Sequence, residues 1–254
     1  MTYVYEPSRR LSARINRRLT IYRNRKIIPV NCDKPIVSFT FDDCPLSGLQ
    51  NGVRRLEKEG WLSTIYIACG LLDTENHLGK MMGGNDTKAA YASGHEIGEH
   101  TYSHRDANSM DLGEYLIDID RNQAALSDLG IPPSATMAYP YGETHSALKK
   151  ALSMRFAGSR GILPTIHHKE VDLNQIGSVP VFTNQMQSAL QAIGQLKEQG
   201  GWLTLFTHDV RETPSLWGCT PSDLDDIIRA VHDSGAQVLT VKDAISSLGD
   251  YHGR

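Results

Sequence analysis

The stretch "PIVSFTFDD", Pro35 to Asp43, decides the fold, because a nearly unbroken apolar run ends there in two adjacent carboxylates. Such a run is typical of a strand buried on both faces, as in a parallel sheet. Neighbouring side chains on a strand point to opposite faces, so a shared task would call for carboxylates two positions apart. The adjacency of Asp42 and Asp43 therefore raises the question of whether they perform one task or two.

Outward from this stretch, strand-like and helical segments alternate along the chain. Further strands are predicted at 63–70, 135–140, 156–158, 178–182, 202–209 and 237–241, and helices at 47–60, 87–94, 112–130, 146–154, 184–200 and 221–235. This alternation favours a parallel α/β sheet. With about seven strands over roughly 220 residues, the pattern predicts a single-domain (β/α) barrel, an irregular seven-stranded one, over an open sheet.

Polar clusters follow several of these strands directly. They are Asp42–Asp43, Tyr139–Gly142 and His208–Asp209, and a short strand in "GHEIGEHTYSH" (94–104) would add a fourth. Active sites of barrels lie at the carboxyl ends of the strands. The sequence therefore predicts one active site built from these clusters.

Two histidines of the fourth cluster suggest a metal site. His100 and His104 are four residues apart, which on a helix places both imidazoles on one face. A carboxylate oxygen from the Asp pair would complete a His₂–Asp set and leave a position open for water. We therefore expect a divalent ion, held on one side by a short helix.

With these clusters in this order, the sequence resembles the polysaccharide deacetylases, the NodB-homology family (carbohydrate esterase family 4). The family's ordered motifs are matched by "TFDD" (40–43), "HTYSH" (100–104), "PYG" (140–142) and the strand end "LFTHDV" (205–210). The resemblance covers residue 36 to the end, and it implies the barrel fold and hydrolysis of an N-acetyl group on a sugar.

The resemblance also implies the role of each matched residue. Asp43, His100 and His104 would hold the metal, with Zn²⁺ favoured and Co²⁺, Ni²⁺ or Mn²⁺ as substitutes. The catalytic residues would be Asp42 as general base, His208 as general acid, and Tyr141, whose backbone N–H would stabilise the oxyanion. The expected substrate-binding residues are Pro140, Phe206, Trp217 and Arg160, and Trp202 is expected in the core.

The sequence departs from the family pattern at four points. Ala138 stands where the family carries an Arg that steadies the catalytic Asp, and Arg160 is the candidate to replace it. The Asp that tunes the acidic His has no clear match, and Asp172 is a weak candidate. Phe206 stands where a Leu commonly lines the acetyl pocket, and Cys44 replaces a usual Gly. These departures indicate a divergent branch.

Composition and charge set the remaining expectations for this chain of 254 residues. Net charge is −3, yet residues 1–30 hold eight basic residues and one acidic residue. We predict a basic N-terminal arm (1–30) and a catalytic domain (31–254). The arm would pack on its own domain or on a neighbouring subunit, or else contact an anionic membrane surface or polymer. A nucleic-acid partner is not expected, since no recognition motif accompanies the charge.

The four cysteines form no C-x-x-C pair, which favours reduced thiols. No secretory signal is found in the sequence, so we expect a cytoplasmic protein, or one associated with the inner membrane face. The oligomeric state stays open. Two alternatives to an N-acetylated saccharide substrate also stay open: hydrolysis of a non-sugar amide or cyclic ureide, and a catalytically silent glycan-binding domain of the same fold.

Overall fold

A computed structural model describes residues 18–249. Its strands are β1 (Ile27–Pro29), β2 (Ile36–Asp42), β3 (Thr64–Ile67), β4 (Glu75–Asn76), β5 (Gly79–Lys80), β6 (Glu96–Glu99), β7 (Thr136–Ala138), β8 (Gly158–Arg160), β9 (Ile166–His167), β10 (Glu170–Asp172), β11 (Val179–Pro180), β12 (Trp202–Thr207) and β13 (Gln237–Val238). Its helices are α1 (Arg54–Lys58, after a π-helical segment Gly48–Val53), α2 (Gly84–Ala92), α3 (Leu112–Asp128), α4 (Ser146–Leu152), α5 (Met186–Gln199), α6 (Pro221–Ser234) and α7 (Val241–Gly249).

The main sheet is a curled half-barrel whose principal path has seven strands, in the order β11-β12-β2-β3-β6-β7-β8. Every neighbouring pair along this path is parallel. Beyond the edge strand β8, backbone hydrogen bonds join Ser159 to Leu173 and Ile176, which lie just ahead of β11. An irregular segment thus links the two edges, and the predicted irregular (β/α) barrel is confirmed.

Strand β2 lies inside this sheet, between β12 and β3. All seven of its residues are buried, which explains its continuous apolar sequence. It pairs with β12 in a six-residue register from Trp202↔Ile36 to Thr207↔Phe41. Because these two strands end level with each other, Asp42 and His208 emerge at the same edge of the sheet.

One predicted element is wrong, and another is shorter than predicted. His100 and His104 lie in a loop after β6 and not on a helix. The last predicted strand, 237–241, forms only the two residues of β13, since the chain turns at Thr240 into α7. The Thr240 hydroxyl donates to the Asp243 carboxylate at 2.7 Å and accepts from the Asp243 backbone N–H at 3.2 Å, which caps this helix.

Part of the basic arm is integrated into the domain. Strand β1 pairs antiparallel with β10, and the Arg25 guanidinium lies 3.0 Å from Glu170. The packed-arm alternative therefore holds for this part of the chain, whereas Arg9, Arg10, Arg14 and Arg17 lie outside the described residues. The boundary at residue 30 stays a prediction. Within 18–249, no helix combines the length and apolar character that crossing a membrane requires.

Candidate active site

The backbone reverses sharply where β2 ends. Asp43 and Cys44 have φ values of 56° and 43°, and the Cys44 N–H donates to the Asp42 carbonyl. This left-handed turn sends the two neighbouring carboxylates in different directions. It also explains why the related family usually carries Gly at the position of Cys44, since a left-handed conformation costs an ordinary residue roughly 1–2 kcal/mol.

Asp43 meets both loop histidines. Its Oδ1 lies 3.6 Å from His100 Nε2 and 3.2 Å from His104 Nε2, and one potential ligand atom from each of the three residues lies within 4.8 Å of the others. His100 Nδ1 donates to the Ala138 carbonyl at 2.8 Å, which leaves Nε2 unprotonated toward Asp43 when the ring is neutral. Ala138 thus cannot supply the Arg guanidinium that the family has at this position, but its backbone carbonyl orients His100, one of the three potential metal ligands.

This trio fits a divalent metal ion. Burial lowers the pKa of each histidine to about 4, so both imidazoles are neutral, as ligands must be, at neutral pH. Asp43 Oδ1 is buried without a hydrogen-bond partner among the described residues, and burial raises the pKa of Asp43 despite the neighbouring imidazoles. A bound cation would compensate the burial of this carboxylate oxygen, and two imidazole nitrogens with one carboxylate suit Zn²⁺ and related metals.

Asp42 has a different partner. The Arg160 guanidinium, fully buried at the end of β8, donates through Nη2 to Asp42 Oδ2. Burial alone would raise the pKa of Asp42, but Arg160, with help from His100 and His208, holds it below its ordinary value. Asp42 is therefore a carboxylate at neutral pH. Arg160 takes the steadying position suggested for it. It lies behind Asp42 and does not line the cleft, and its part in substrate binding stays a prediction.

His208 follows β12 on the other side of Asp42. Its Nδ1 lies 3.0 Å from the Trp217 carbonyl, which can only accept, so Nδ1 carries the proton and Nε2 is left for the cleft. The suggested tuning role of Asp172 is wrong, since that carboxylate pairs with the buried Lys149 ammonium at 2.9 Å. Asp209 instead supports the loop, accepting from Arg211 Nε at 2.7 Å and from the Ser215 N–H at 2.8 Å.

The metal trio, Asp42 and His208 all line one cleft of about 440 Å³. Aromatic rings form much of its wall: Trp217 packs edge-on to His77 at 5.3 Å between centroids, and Phe206 packs edge-on to Phe182 at 5.2 Å. Tyr141, with φ 59°, stacks its ring edge-on against His104 at 4.6 Å.

Of the predicted substrate-binding residues, Phe206 and Trp217 therefore line the cleft. Pro140 is buried and does not line the cleft, so its part in substrate binding stays a prediction, while Tyr139, Tyr141 and Gly142 do reach the cleft. Trp202 lies in the core as expected, donating from Nε1 to Ser38 Oγ at 3.0 Å.

Sequence reasoning missed two contributors. His77 lines the cleft from the β4–β5 hairpin, whose "ENHLGK" turn pattern was the available signal. Asp118 holds the ligand loop: its carboxylate accepts from the Ser103 N–H at 2.9 Å and from the Ser103 hydroxyl at 2.8 Å. The sequence feature that could have indicated Asp118 is an acidic residue on the buried face of α3, beside Tyr115 and Ile119.

Replacing Asp118 with Ala should weaken metal binding by about tenfold, because the loop between the two histidine ligands loses its anchor on α3. Metal affinity is measured by competition with a chromogenic chelator. The matched control is Asp120→Ala on the same helix, since Asp120 is exposed and pairs with the surface residue Arg155 at 2.6 Å. Equal affinities in the two variants would contradict a positioning role for Asp118.

The chain is similar to known proteins both in its sequence family and in its fold. A family model described as "Polysaccharide deacetylase" matches residues 30–157. The peptidoglycan N-acetylglucosamine deacetylase Bc1960 is 23% identical over 85% of this chain and 91% of its own, with a TM-score of 0.58. The chitin deacetylase of the fungal pathogen Colletotrichum lindemuthianum is 16% identical, with coverages of 85% and 89% and a TM-score of 0.59.

A mutant of BA3943, described as a CE4 family pseudoenzyme, is 13% identical over 86% of this chain and 70% of its own, with a TM-score of 0.60. No curated protein sequence matches the chain. The fold is thus shared by deacetylases and by a pseudoenzyme, and the arrangement of the site must decide between these two classes.

Proposed function

The chain belongs to the polysaccharide deacetylase family, that of carbohydrate deacetylases acting on amide bonds, and from that premise we propose that it is a metal-dependent hydrolase that removes an N-acetyl group from an amino-sugar saccharide. One observation carries the proposal: the ligand trio Asp43, His100 and His104 lies beside a separate carboxylate, Asp42, that Arg160 keeps ionised. The two adjacent aspartates would thus perform two different tasks.

The trio would hold the ion, with Zn²⁺ favoured by its nitrogen and oxygen donors and Co²⁺, Ni²⁺ or Mn²⁺ as substitutes. When bound, such an ion supplies Lewis acidity that brings the pKa of a coordinated water toward about 7 and polarises the amide carbonyl. The chain's part is to present three neutral or anionic donors from the turn after β2 and the loop after β6. His100 is oriented by the Ala138 carbonyl and Asp43 by the left-handed turn.

Asp42 is the proposed general base. It lies one residue from a metal ligand, and its lowered pKa keeps it able to accept a proton from the attacking water. Arg160 would hold Asp42 Oδ2, which leaves Oδ1, buried and without a hydrogen-bond partner among residues 18–249, to take that proton.

His208 is the proposed general acid. An amide leaves poorly as an anion, so the departing nitrogen needs a proton. With Nδ1–H donated to the Trp217 carbonyl, His208 would act as an imidazolium, passing its Nε2 proton to the departing nitrogen and becoming the neutral ring. The backbone N–H of Tyr141 would donate to the oxyanion, an interaction whose removal typically costs roughly 3–4 kcal/mol of transition-state stabilisation.

The alternative of a catalytically silent binding domain is opposed by this same arrangement, because a glycan-binding surface has no need of a buried carboxylate without a partner. Hydrolysis of a non-sugar amide or a cyclic ureide would use the same base and acid on a different scaffold. A cytoplasmic location, and contact between the arm and the inner membrane face, remain predictions.

The decisive test measures acetate release, and the matching loss of acetyl mass, from a panel of N-acetylated saccharides that includes N-acetylglucosamine oligomers. We expect release by the purified protein, its loss after chelation, and its return on adding Zn²⁺ or Co²⁺. Metal content is determined on the same samples. If no saccharide loses acetate in the metal-loaded protein, the saccharide assignment fails; release that persists after complete chelation would refute the metal dependence.

A further inference from the structure

The loop after β12, residues 208–219, folds around the side chain of Asp209. That side chain is fully buried, and its carboxylate accepts three hydrogen bonds: from Arg211 Nε at 2.7 Å, from the Ser215 N–H at 2.8 Å and from the Ser215 hydroxyl at 2.5 Å. The Asp209 carbonyl accepts from the Cys219 N–H at 3.0 Å, which closes the loop. Because a buried carboxylate is costly without partners, the loop and this side chain hold each other in place.

A series of hydrogen bonds leads from Asp209 to the ring of His208. The Ser215 hydroxyl, which donates to Asp209 Oδ1, accepts from the Trp217 N–H at 3.1 Å. The Trp217 carbonyl in turn lies 3.0 Å from His208 Nδ1 and accepts from the His208 backbone N–H at 3.2 Å. The carbonyl that contacts the imidazole is thus placed by the Asp209 carboxylate, through a single serine.

Two further contacts limit the movement of this loop. Gly218 packs so closely on Asp209 that a Cβ at this position would overlap both the Asp209 carbonyl and its carboxylate. Arg211, which donates to Asp209 through Nε, also donates from Nη2 to the His77 carbonyl at 3.4 Å. The hairpin that carries His77, whose ring packs against Trp217 in the cleft wall, is therefore tied to the same carboxylate.

We propose that Asp209 is a positioning residue for the reaction, and that it holds the Trp217 carbonyl against Nδ1 of His208. The inference rests on the proposed function, in which His208 is the general acid. With Nδ1–H fixed on a carbonyl, the imidazolium releases its other proton, from Nε2, to the departing nitrogen as the C–N bond breaks. The ring is then left neutral with its proton on Nδ1. Without that carbonyl, the neutral ring could hold its proton on either nitrogen.

This arrangement would take over the task that the related family assigns to an Asp that tunes the acidic histidine. The sequence has no clear match for that Asp, and the structure pairs the candidate Asp172 with Lys149. Here the carboxylate belongs to the residue directly after the histidine and acts through Ser215 and a backbone carbonyl. A substitution at Ser215 should therefore alter the state of the His208 ring.

Histidine-selective ¹⁵N labelling and NMR read the tautomer of the His208 ring, with His208→Gln identifying its signals. In the protein with added Zn²⁺, at a pH where the ring is neutral, we expect the proton on Nδ1. Ser215→Ala and Asp209→Asn should each move the Nδ1 and Nε2 shifts toward each other, as the proton divides between the two nitrogens. Thr213→Ala, at an exposed position in the same loop, is the matched control and should leave both shifts unchanged. Thermal unfolding checks that each variant is folded, and Ser215→Ala is the milder of the two.

Kinetics of acetate release from N-acetylglucosamine oligomers test whether this positioning serves the reaction. We expect kcat to fall about tenfold in Ser215→Ala and in Asp209→Asn with KM unchanged, a part of the roughly 10²- to 10⁴-fold that a positioned acid contributes. In a His208→Gln background neither substitution should lower kcat further, because both act through that ring.

An equal further loss in the His208→Gln background would show that Asp209 supports the fold alone, and would overturn the proposal. So would full activity in both variants, or an unchanged His208 tautomer in both. Absence of acetate release from every saccharide overturns the proposed function instead. The NMR spectra would then still decide whether Asp209 and Ser215 position the ring, since they do not depend on turnover.

Discussion

Asp42→Asn is expected to lower kcat by about a thousandfold while the protein keeps its metal, since a positioned general base contributes about 10²- to 10⁴-fold. The asparagine amide keeps the shape of Asp42, and its oxygen can still accept from Arg160. It cannot accept a proton from water at neutral pH. The expected loss therefore isolates proton transfer from the hydrogen bond that positions the side chain.

The matched control is Asp43→Asn, which makes the same chemical substitution one residue further along the chain. It should lose metal affinity, because Asp43 faces both imidazoles at 3.6 and 3.2 Å. Acetate release and metal content measured on both proteins should separate the two aspartates, one losing turnover and the other losing the ion. Wild-type activity in the Asp42 variant would refute the assignment of the base, and equal metal loss in both would refute the division of tasks.

The parts of the site carried on buried parallel strands could be predicted from sequence. A central parallel strand such as β2 is apolar on both faces, so its end is visible as the point where polar residues begin. The clusters at Asp42–Asp43, Tyr139–Gly142 and His208–Asp209 were located in this way, and the register of β2 with β12 brings the first and last of them together.

The loops of the site could not be predicted, because residues distant in sequence hold their conformation. The segment from His100 to His104 reads as helical by spacing alone. In the fold, Thr101 and His104 have φ values of 59° and 48°, and the loop is held from α3 by Asp118 and, through Glu99, by Asn122 at 2.8 Å. These contacts span 15 and 23 residues of sequence, so no local pattern reveals them.

The same dependence on distant contacts explains why the sequence could not show which of the two suggested replacements, Arg160 and Asp172, serves the site. Arg160 and Asp172 both lie in segments that match no motif. The fold brings Arg160 to Asp42 across 118 residues and commits Asp172 to Lys149. Only the three-dimensional arrangement of β8 and β10 decides which of them serves the site.

Arg160→Met should have the second large effect, on stability and on pH dependence together. The guanidinium is fully buried and pairs with a buried carboxylate, and breaking such a pair from one side typically costs about 3–5 kcal/mol of unfolding free energy. Arg155→Met, which removes an arginine from an exposed pair with Asp120, is the control and should cost about 1 kcal/mol or less. Denaturant unfolding in chelator measures both without a contribution from metal binding.

Activity of the Arg160 variant adds a readout that a merely structural role would not move. Asp42 must be ionised to act as base, and Arg160 opposes the rise in its pKa that burial causes. Without the guanidinium the pKa of Asp42 rises, so the acid limb of the kcat/KM profile should move to higher pH, with activity regained as the pH is raised. An unmoved limb would show that Arg160 supports the fold but does not tune the base.

A double-mutant cycle separates the buried charge from the packing of the arginine side chain. In Asp42→Asn/Arg160→Met neither buried charge remains, so the double variant should be more stable than Arg160→Met alone, with a coupling within the roughly 0.5–3 kcal/mol range of contacting residues. Strict additivity would mean that the single variant loses stability through packing of Arg160 over the Phe206 ring, 4.9 Å from its guanidinium carbon. The double variant lacks the general base, so it should be as inactive as Asp42→Asn at every pH. That result would attribute the shift of the acid limb in Arg160→Met to the ionisation of Asp42.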